Sequence, residues 1–332
     1  MESIAVIGAG SWGTTLASLA ARSVETTLWA RRSDIADAIN SQNENPDYLP
    51  GHRLPEGLTA TSDLHAAVDH VDAVVMGVPS HGFREVFRDL APSLEDSTPV
   101  VSLTKGIEEG TFATMTRVVR EEAPAIDHSK TGVLTGPNLA GEIIAGQPTA
   151  AVIAMANQET AEAVQQVLMG PTFRVYTNDD VVGCELSGAM KNVMAIAAGM
   201  SDGLGFGDNT RAALLTRALT ELTRLGITLG GRPSTFAGLA GMGDLIATCS
   251  SSLSRNHRVG SGLAAGKTLD QVVDEMNMVA EGIKTTHGVL GLAEQAGIEM
   301  PIAEHVSHVL HDGLSPRDAV LSLMTRQAKS EH

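Results

Sequence analysis

Along the first half of the chain, apolar positions gather in short runs separated by turn chemistry and helix-like stretches. The runs are Ser3–Ile7, Glu25–Trp29, Ala73–Val78, Val100–Leu103, Gly132–Leu134 and Ala150–Ala154, and each predicts a buried strand. Trp12–Arg22, rich in Ala and Leu, predicts a helix between the first two. Strands alternating with helices build βαβ units, so this half predicts an α/β domain with a largely parallel, doubly wound sheet.

After about residue 180 the strand-like runs stop. Glu185–Met200, apolar and rich in small residues, predicts a closely packed helix. Thr268 with Gln271 three residues on is a capping box ahead of Val272–Met276. Ser315, Pro316 and Asp318 have the residue types of an N-cap, a first-turn proline and a first-turn acid. Gly297 and Gly313 predict helix stops. The expected organisation is residues 1–182 as the α/β domain and 183–332 as an all-helical domain. There is no internal repeat and no low-complexity tract.

Composition narrows the ligand class. A chain of 332 residues with 43% apolar residues can bury two cores. A net charge of −16 argues against nucleic acid as a partner, because backbone phosphates need a basic surface. It leaves small anions open, since a few local donors hold those. Six Phe, two Tyr and two Trp are too few for stacking platforms. No run of about 18 apolar residues predicts membrane insertion. The start of the chain enters a strand without a basic leader, and Cys184 and Cys249 form neither a disulfide framework nor a metal cluster. A cytoplasmic setting fits these features.

Gly8-Ala9-Gly10-Ser11-Trp12-Gly13 follows a predicted strand and opens a predicted helix, the context in which G-x-G-x-x-G binds a dinucleotide in a Rossmann-type fold. Gly8 permits the tight turn, Gly10 lets backbone approach a pyrophosphate, and Gly13 allows close helix–strand packing. The backbone N–H groups of Ser11 and Trp12 then face the anion. The second strand ends in Trp29-Ala30-Arg31-Arg32, without the acid that usually binds the ribose 2′-OH in NAD enzymes. Arg31 and Arg32 can hold a 2′-phosphate instead, which predicts NADPH as the preferred cofactor with NADH also usable. The alternative is a solvated basic turn.

Three later segments carry polar residues where a cleft would lie. Lys105, in Ser102–Glu108, and Gly136-Pro137-Asn138-Leu139-Ala140 each follow a predicted strand, and carboxyl ends of parallel strands are where ligands bind. Lys191-Asn192 interrupts an apolar helix, so on the residues alone Lys191 either snorkels to solvent or sits in a cleft.

With these motifs in order, the chain resembles the bacterial-type NAD(P)-dependent glycerol-3-phosphate dehydrogenases along nearly its whole length. The shared elements are the GAGSWG turn, Asn45-Pro46-Asp47-Tyr48-Leu49-Pro50, the SLTKGIE and GPNLA segments, the ELSGAMKNVMAIAAG helix, and Gly241-Met242-Gly243-Asp244-Leu245 running to Ser254-Arg255-Asn256. Asn138 is a departure, since many members carry Ser or Thr there.

The resemblance implies interconversion of dihydroxyacetone phosphate and sn-glycerol 3-phosphate, supplying glycerol 3-phosphate for phospholipid synthesis. It implies Lys191 as the catalytic acid/base, with Lys105 and Asp244 beside it. Lys105, Gly136, Asn138, Asp244, Thr248, Ser254, Arg255 and Asn256 are the implied substrate residues, with Arg255, Asn256 and the helix capped by Ser254 on the phosphate. Tyr48, Lys105, Ala140, Arg255, Val279 and Glu281 are implied on the cofactor side. An ammonium near the carbonyl oxygen can donate the proton that a developing alkoxide needs. Oxidation needs a neutral lysine, which a normal pKa near 10.4 makes slow. A second cation and partial burial favour the neutral form, so oxidation is expected to quicken toward alkaline pH. Taken alone, Asp244 reads as a turn acid after Gly243 and Glu281 as a surface acid. His81, His257 and His287 have no metal spacing and receive no chemical role. No metal is expected.

The nearest rival is a β-hydroxyacid or ketopantoate-type reductase, which also joins a Rossmann domain to a helical one. The SRN segment together with Lys105 favours a phosphorylated triose. A non-catalytic NAD(P)-sensing regulator would need no proton donor. A homodimer is compatible with a helical half that offers an apolar face.

Overall fold

The computed structural model describes residues 1–276 and 280–327. Eight strands form one sheet: β1 (Ser3–Ile7), β2 (Glu25–Trp29), β3 (Leu58–Thr61), β4 (Ala73–Met76), β5 (Val100–Ser102), β6 (Thr131–Thr135), β7 (Thr149–Met155) and β8 (Phe173–Asn178). Their order is β3-β2-β1-β4-β5-β6-β7-β8. The pairs from β3 to β6 are parallel, β6–β7 is antiparallel, and β7–β8 is parallel again.

Both faces are covered, which is why the central strands are apolar without alternation. Ile4, Val6, Leu28, Val75 and Val101 enter one core, while Ala5, Ile7, Trp29, Val74, Met76 and Val100 enter the other. Strands β1 and β2 coincide with their predicted bounds, and the other four predicted runs shift by one or two residues at their ends. Strands β3 and β8 were not predicted. They are the two sheet edges and alternate buried with accessible residues, so neither presents a continuous apolar run. The reversed direction of β7 was not foreseen either, because a strand covered on both faces has the same composition whichever way it runs.

The helical half is built around Val181–Gly203, longer at both ends than the predicted Glu185–Met200. Every residue from 183 to 201 is buried, so this helix is apolar all round rather than along one stripe. It is long and apolar enough to cross a membrane, yet 89% of the qualifying window is buried inside the protein. Small residues allow the Arg255–Ala264 helix to lie close against it. A Cβ at Gly199 would sit 1.9 Å from the His257 carbonyl oxygen, and one at Gly260 would sit 2.0 Å from that of Ile196. The predicted caps form as well. Thr268 and Gln271 make the reciprocal capping box, and Ser254 and Ser315 accept from His257 and Asp318 N–H groups. Gly297 and Gly313 take left-handed conformations after helices ending at Ala296 and His311.

The entry to the central helix is held by Asp180. Its carboxylate accepts from the N–H of Gly183 at 2.9 Å, the N–H of Arg232 at 2.8 Å and the Thr235 hydroxyl at 2.6 Å. Asp180 is only 5% exposed. Asp180→Ala leaves two buried donors and the part-buried Arg232 N–H without their acceptor and should lower the free energy of unfolding by about 3 kcal/mol. Urea unfolding followed by circular dichroism checks this, and a loss below about 1 kcal/mol would contradict it.

Candidate active site

The glycine turn shows which of its residues the protein itself requires. Gly8 has φ +118°, and a Cβ there would lie 2.8 Å from the Gly77 carbonyl oxygen. A Cβ at Gly13 would lie 2.0 Å from the Gly8 carbonyl oxygen. At Gly10 a Cβ would meet nothing within 4 Å among the described residues, so none of them explains that glycine. The open space lies at the start of the Ser11–Ala20 helix, whose first-turn N–H groups have no side-chain cap. This fits a pyrophosphate brought close to backbone.

The turn is braced from Asn45-Pro46-Asp47-Tyr48. Asn45 donates to the Ala9 carbonyl at 2.9 Å and to the Thr14 hydroxyl at 2.8 Å. The Ser11 hydroxyl donates to the Tyr48 carbonyl at 2.9 Å. Thr15 reaches the Ala140 carbonyl at 3.5 Å, which places Ala140 behind the same helix. The Trp12 indole N–H is buried without a partner among the described residues. Arg31 and Arg32 are both exposed just past β2. They are not equivalent: Arg32 is bonded to Asp34 and, at 2.6 Å, to Asp47.

Across the carboxyl ends of β5 and β6 the two halves meet in a buried charged cluster. Asp244 begins the Asp244–Ser250 helix and is 1% exposed. Its Oδ2 accepts from Lys105 Nζ at 2.6 Å, and its Oδ1 lies 3.1 Å from Lys191 Nζ. Lys191 also donates to the Thr248 hydroxyl at 2.6 Å, and that hydroxyl lies 3.1 Å from Asp244 Oδ1. Lys105 donates further to the Gly136 carbonyl at 2.8 Å. The Lys191 side chain is 9% exposed, so it does not snorkel, and Asp244 is not a solvated turn acid.

One carboxylate cannot neutralise two ammonium groups. Burial pushes the Lys105 ammonium down to about 8; Asp244 opposes that shift and Lys191 adds to it. Burial works against the charged form of Asp244, but its two lysine partners outweigh it and hold the carboxyl below its ordinary value.

Asn192 and Asn256 link the cluster to neighbouring elements. Asn192 donates to the Lys105 carbonyl at 2.8 Å and accepts from Asn256 at 2.9 Å, while Asn256 accepts from the Gly282 N–H at 2.9 Å. The Asn256 side chain is therefore engaged within the protein. Arg255 is solvent-accessible in the first turn of its helix and feels the charge of Glu281. Glu281 is half-buried and contacts Ser80 across the seam. Asn138 lies half-buried beyond Gly136, with both amide atoms buried and without a partner among the described residues. Val279 lies outside the described residues. Among the described residues no group of His, Cys, Asp or Glu could hold a metal.

Sequence reasoning gave Asn45 and Asn192 no function and missed Ser80. Asn45 and Asn192 stood inside quoted motifs, while Ser80 follows β4 much as Lys105 follows β5. That position at a carboxyl strand end was a usable signal.

A glycine turn heading a doubly wound sheet, with a buried lysine pair shared between the sheet half and a helical half, defines a two-domain dinucleotide-dependent dehydrogenase. Residues 3–161 match the family described as NAD-dependent glycerol-3-phosphate dehydrogenase N-terminus, and residues 180–321 match its C-terminus. The chain belongs to the NAD-dependent glycerol-3-phosphate dehydrogenase family. It is 48% identical over 328 residues to glycerol-3-phosphate dehydrogenase [NAD(P)+] 2 of Sphingopyxis alaskensis, covering 99% of this chain and 98% of that one. It is 50% identical over 331 residues to the Moorella thermoacetica glycerol-3-phosphate dehydrogenase [NAD(P)+], covering 99% and 98%. The crystal structure of glycerol-3-phosphate dehydrogenase from Coxiella burnetii superposes with a TM-score of 0.93 at 40% identity, covering 98% of this chain and 99% of that one. Family membership decides against the ketopantoate-type and regulator alternatives.

Gly10→Ala places its methyl in the open space that fits the dinucleotide. It should leave the melting temperature within about 2 °C of the parent, since it meets no atom of the described residues. It should weaken NADPH binding at least about tenfold, measured by fluorescence titration. Unchanged affinity would show that the cofactor does not approach this turn.

Proposed function

We propose that this chain reduces dihydroxyacetone phosphate to sn-glycerol 3-phosphate and catalyses the reverse reaction, with Lys191 as the acid/base. The observation that carries the reading is the Lys191 ammonium, buried on the helical half and aligned by Thr248 and Asp244 at 2.6 and 3.1 Å. When bound, the nicotinamide supplies the hydride. Lys191 donates a proton to the carbonyl oxygen as negative charge develops there, and its charge stabilises that oxygen beforehand. Thr248 and Asp244 hold the ammonium, and in oxidation the neutral amine takes the proton back.

Two ammonium groups around one carboxylate leave an excess of one positive charge, which suits an anionic substrate. Arg255 and the first-turn N–H groups of the helix capped by Ser254 serve the phosphate, with Asn256 contributing its backbone rather than its engaged side chain. The unpartnered donor and acceptor of Asn138 match the triose oxygens.

The direct test follows NADPH absorbance with dihydroxyacetone phosphate, using unphosphorylated dihydroxyacetone as control. Lys191→Ala should lower kcat by roughly 10²–10⁴-fold while NADPH affinity changes little. Undiminished turnover would end the assignment.

Lys105 gives the pH dependence. Below about 8 it is charged and attracts the substrate phosphate; above that value it loses its proton in the free enzyme. The phosphate stays dianionic throughout this range, with its second pKa near 6. kcat/KM for dihydroxyacetone phosphate should therefore decline above about pH 8. A profile flat from pH 7 to 10 would remove Lys105 from substrate binding.

An NADPH preference belongs to the same reading and rests on Arg31, since Arg32 is already engaged by Asp34 and Asp47. Arg31→Ala should raise KM for NADPH about tenfold and leave KM for NADH nearly unchanged. Equal effects on both cofactors would refute the preference.

A further inference from the structure

The Ser80–Leu90 helix starts at the carboxyl end of β4, beside the dinucleotide turn. Its N-cap is Pro79, which has no side-chain oxygen, so the helix cannot cap its own first N–H groups. The acceptor comes from the other half of the chain, 201 residues away. Glu281 Oε1 accepts from the Ser80 N–H at 3.1 Å, and Glu281 Oε2 accepts from the Ser80 hydroxyl at 2.5 Å. Ser80 is 3% exposed, so water does not replace this contact readily.

The chemistry of the pair is selective. Both Ser80 groups act as donors here, and a carboxylate offers an acceptor to each. A glutamine amide would turn its NH₂ toward one of them. The positive end of the helix also favours the anion. The loop after β5 closes over the same spot: a Cβ at Gly106 would lie 2.6 Å from Ser80 Cβ and 2.9 Å from Glu281 Oε2. Gly106 adjoins Lys105, and Arg255 feels the Glu281 charge from the other side. One contact thus joins the β4 end, the Lys105 loop and the first turn of the Glu281–Ala296 helix.

We propose that Ser80 is a positioning residue: it fixes the Glu281 carboxylate at the cofactor side of the cleft through a helix cap supplied across the seam. The proposal rests on the reading of Glu281 as a cofactor-side residue. Without the Ser80 hydroxyl the carboxylate keeps one of two anchors and swings. The loss falls on dinucleotide seating rather than on proton transfer at Lys191.

The test uses the full chain with Ser80→Ala, Glu281→Gln and the double variant. NADPH dissociation constants are measured by fluorescence, and NADPH KM and kcat by absorbance. Each single variant should weaken NADPH about fivefold to tenfold, with kcat at saturation changed less than about twofold. The double variant should be no weaker than Glu281→Gln by more than about twofold, because both changes break one contact. An unaffected Ser80→Ala, penalties that multiply in the double variant, or a fall in kcat at unchanged affinity would overturn the Ser80 role while leaving Glu281 in place. An unaffected Glu281→Gln would overturn both.

Discussion

The arrangement depends on one shared carboxylate. Asp244, 1% exposed, lies between Lys105 on the sheet half and Lys191 on the helical half. Burying three charges is costly, and mutual attraction offsets that cost only when the geometry is good and the remaining lone pairs are filled. Thr248, the Gly136 carbonyl and the two lysines meet that condition. Without Asp244 two like charges would remain buried side by side, a loss of about 3–5 kcal/mol. The same carboxylate assembles the seam and sets the electrostatics of the site, because it leaves one positive charge uncompensated.

Neither half contains this cluster alone, so the surrounding contacts must fix the halves against each other. Asp180 sets the entry of the Lys191 helix. Glu185, on the same helix, accepts from Thr116 N–H and hydroxyl at 2.8 and 2.5 Å, tying it to the helix Met115–Glu122 of the sheet half. Burial pushes the Glu185 carboxyl up against the pull of those donors. The Lys105 loop is held through its carbonyl by Asn192 and, three residues on, through Glu108, which pairs with Arg84 Nε and Nη2 at 2.8 and 2.7 Å. Both lysines therefore project from braced backbone, the condition under which ammonium groups can be preorganised for a developing charge.

The sequence was most legible where local rules act. The glycine turn, the β1 and β2 bounds, the capping box at Thr268 and the Ser254 cap follow from φ angles, side-chain period and cap chemistry. Edge strands β3 and β8 escaped because half-exposed edges lack an apolar run. Lys191 could be placed on a helix, but its burial depends on Thr248 and Asp244, 57 and 53 residues away in sequence. Asp244 read as a turn acid and Glu281 as a surface acid for the same reason: Lys105 and Ser80, which they bond, lie on the opposite half. The Asn192–Asn256 pair was quoted residue by residue, yet that the Asn256 side chain is occupied follows only from the helix crossing made possible by Gly199 and Gly260.

The whole-chain charge of −16 and the phosphorylated substrate are compatible once distance is considered. At physiological salt the Debye length is about 8 Å, so acids spread over the surface are largely screened from an anion in the cleft. On the proposed reading, what the anion meets there is local: the excess charge of the lysine cluster, Arg255, and helix N–H groups. Buried charges are screened far less than exposed ones, so this small positive centre outweighs a larger, distant negative one. Net charge thus informs about extended partners, which average over a surface, and says little about a small ligand held by a few local donors.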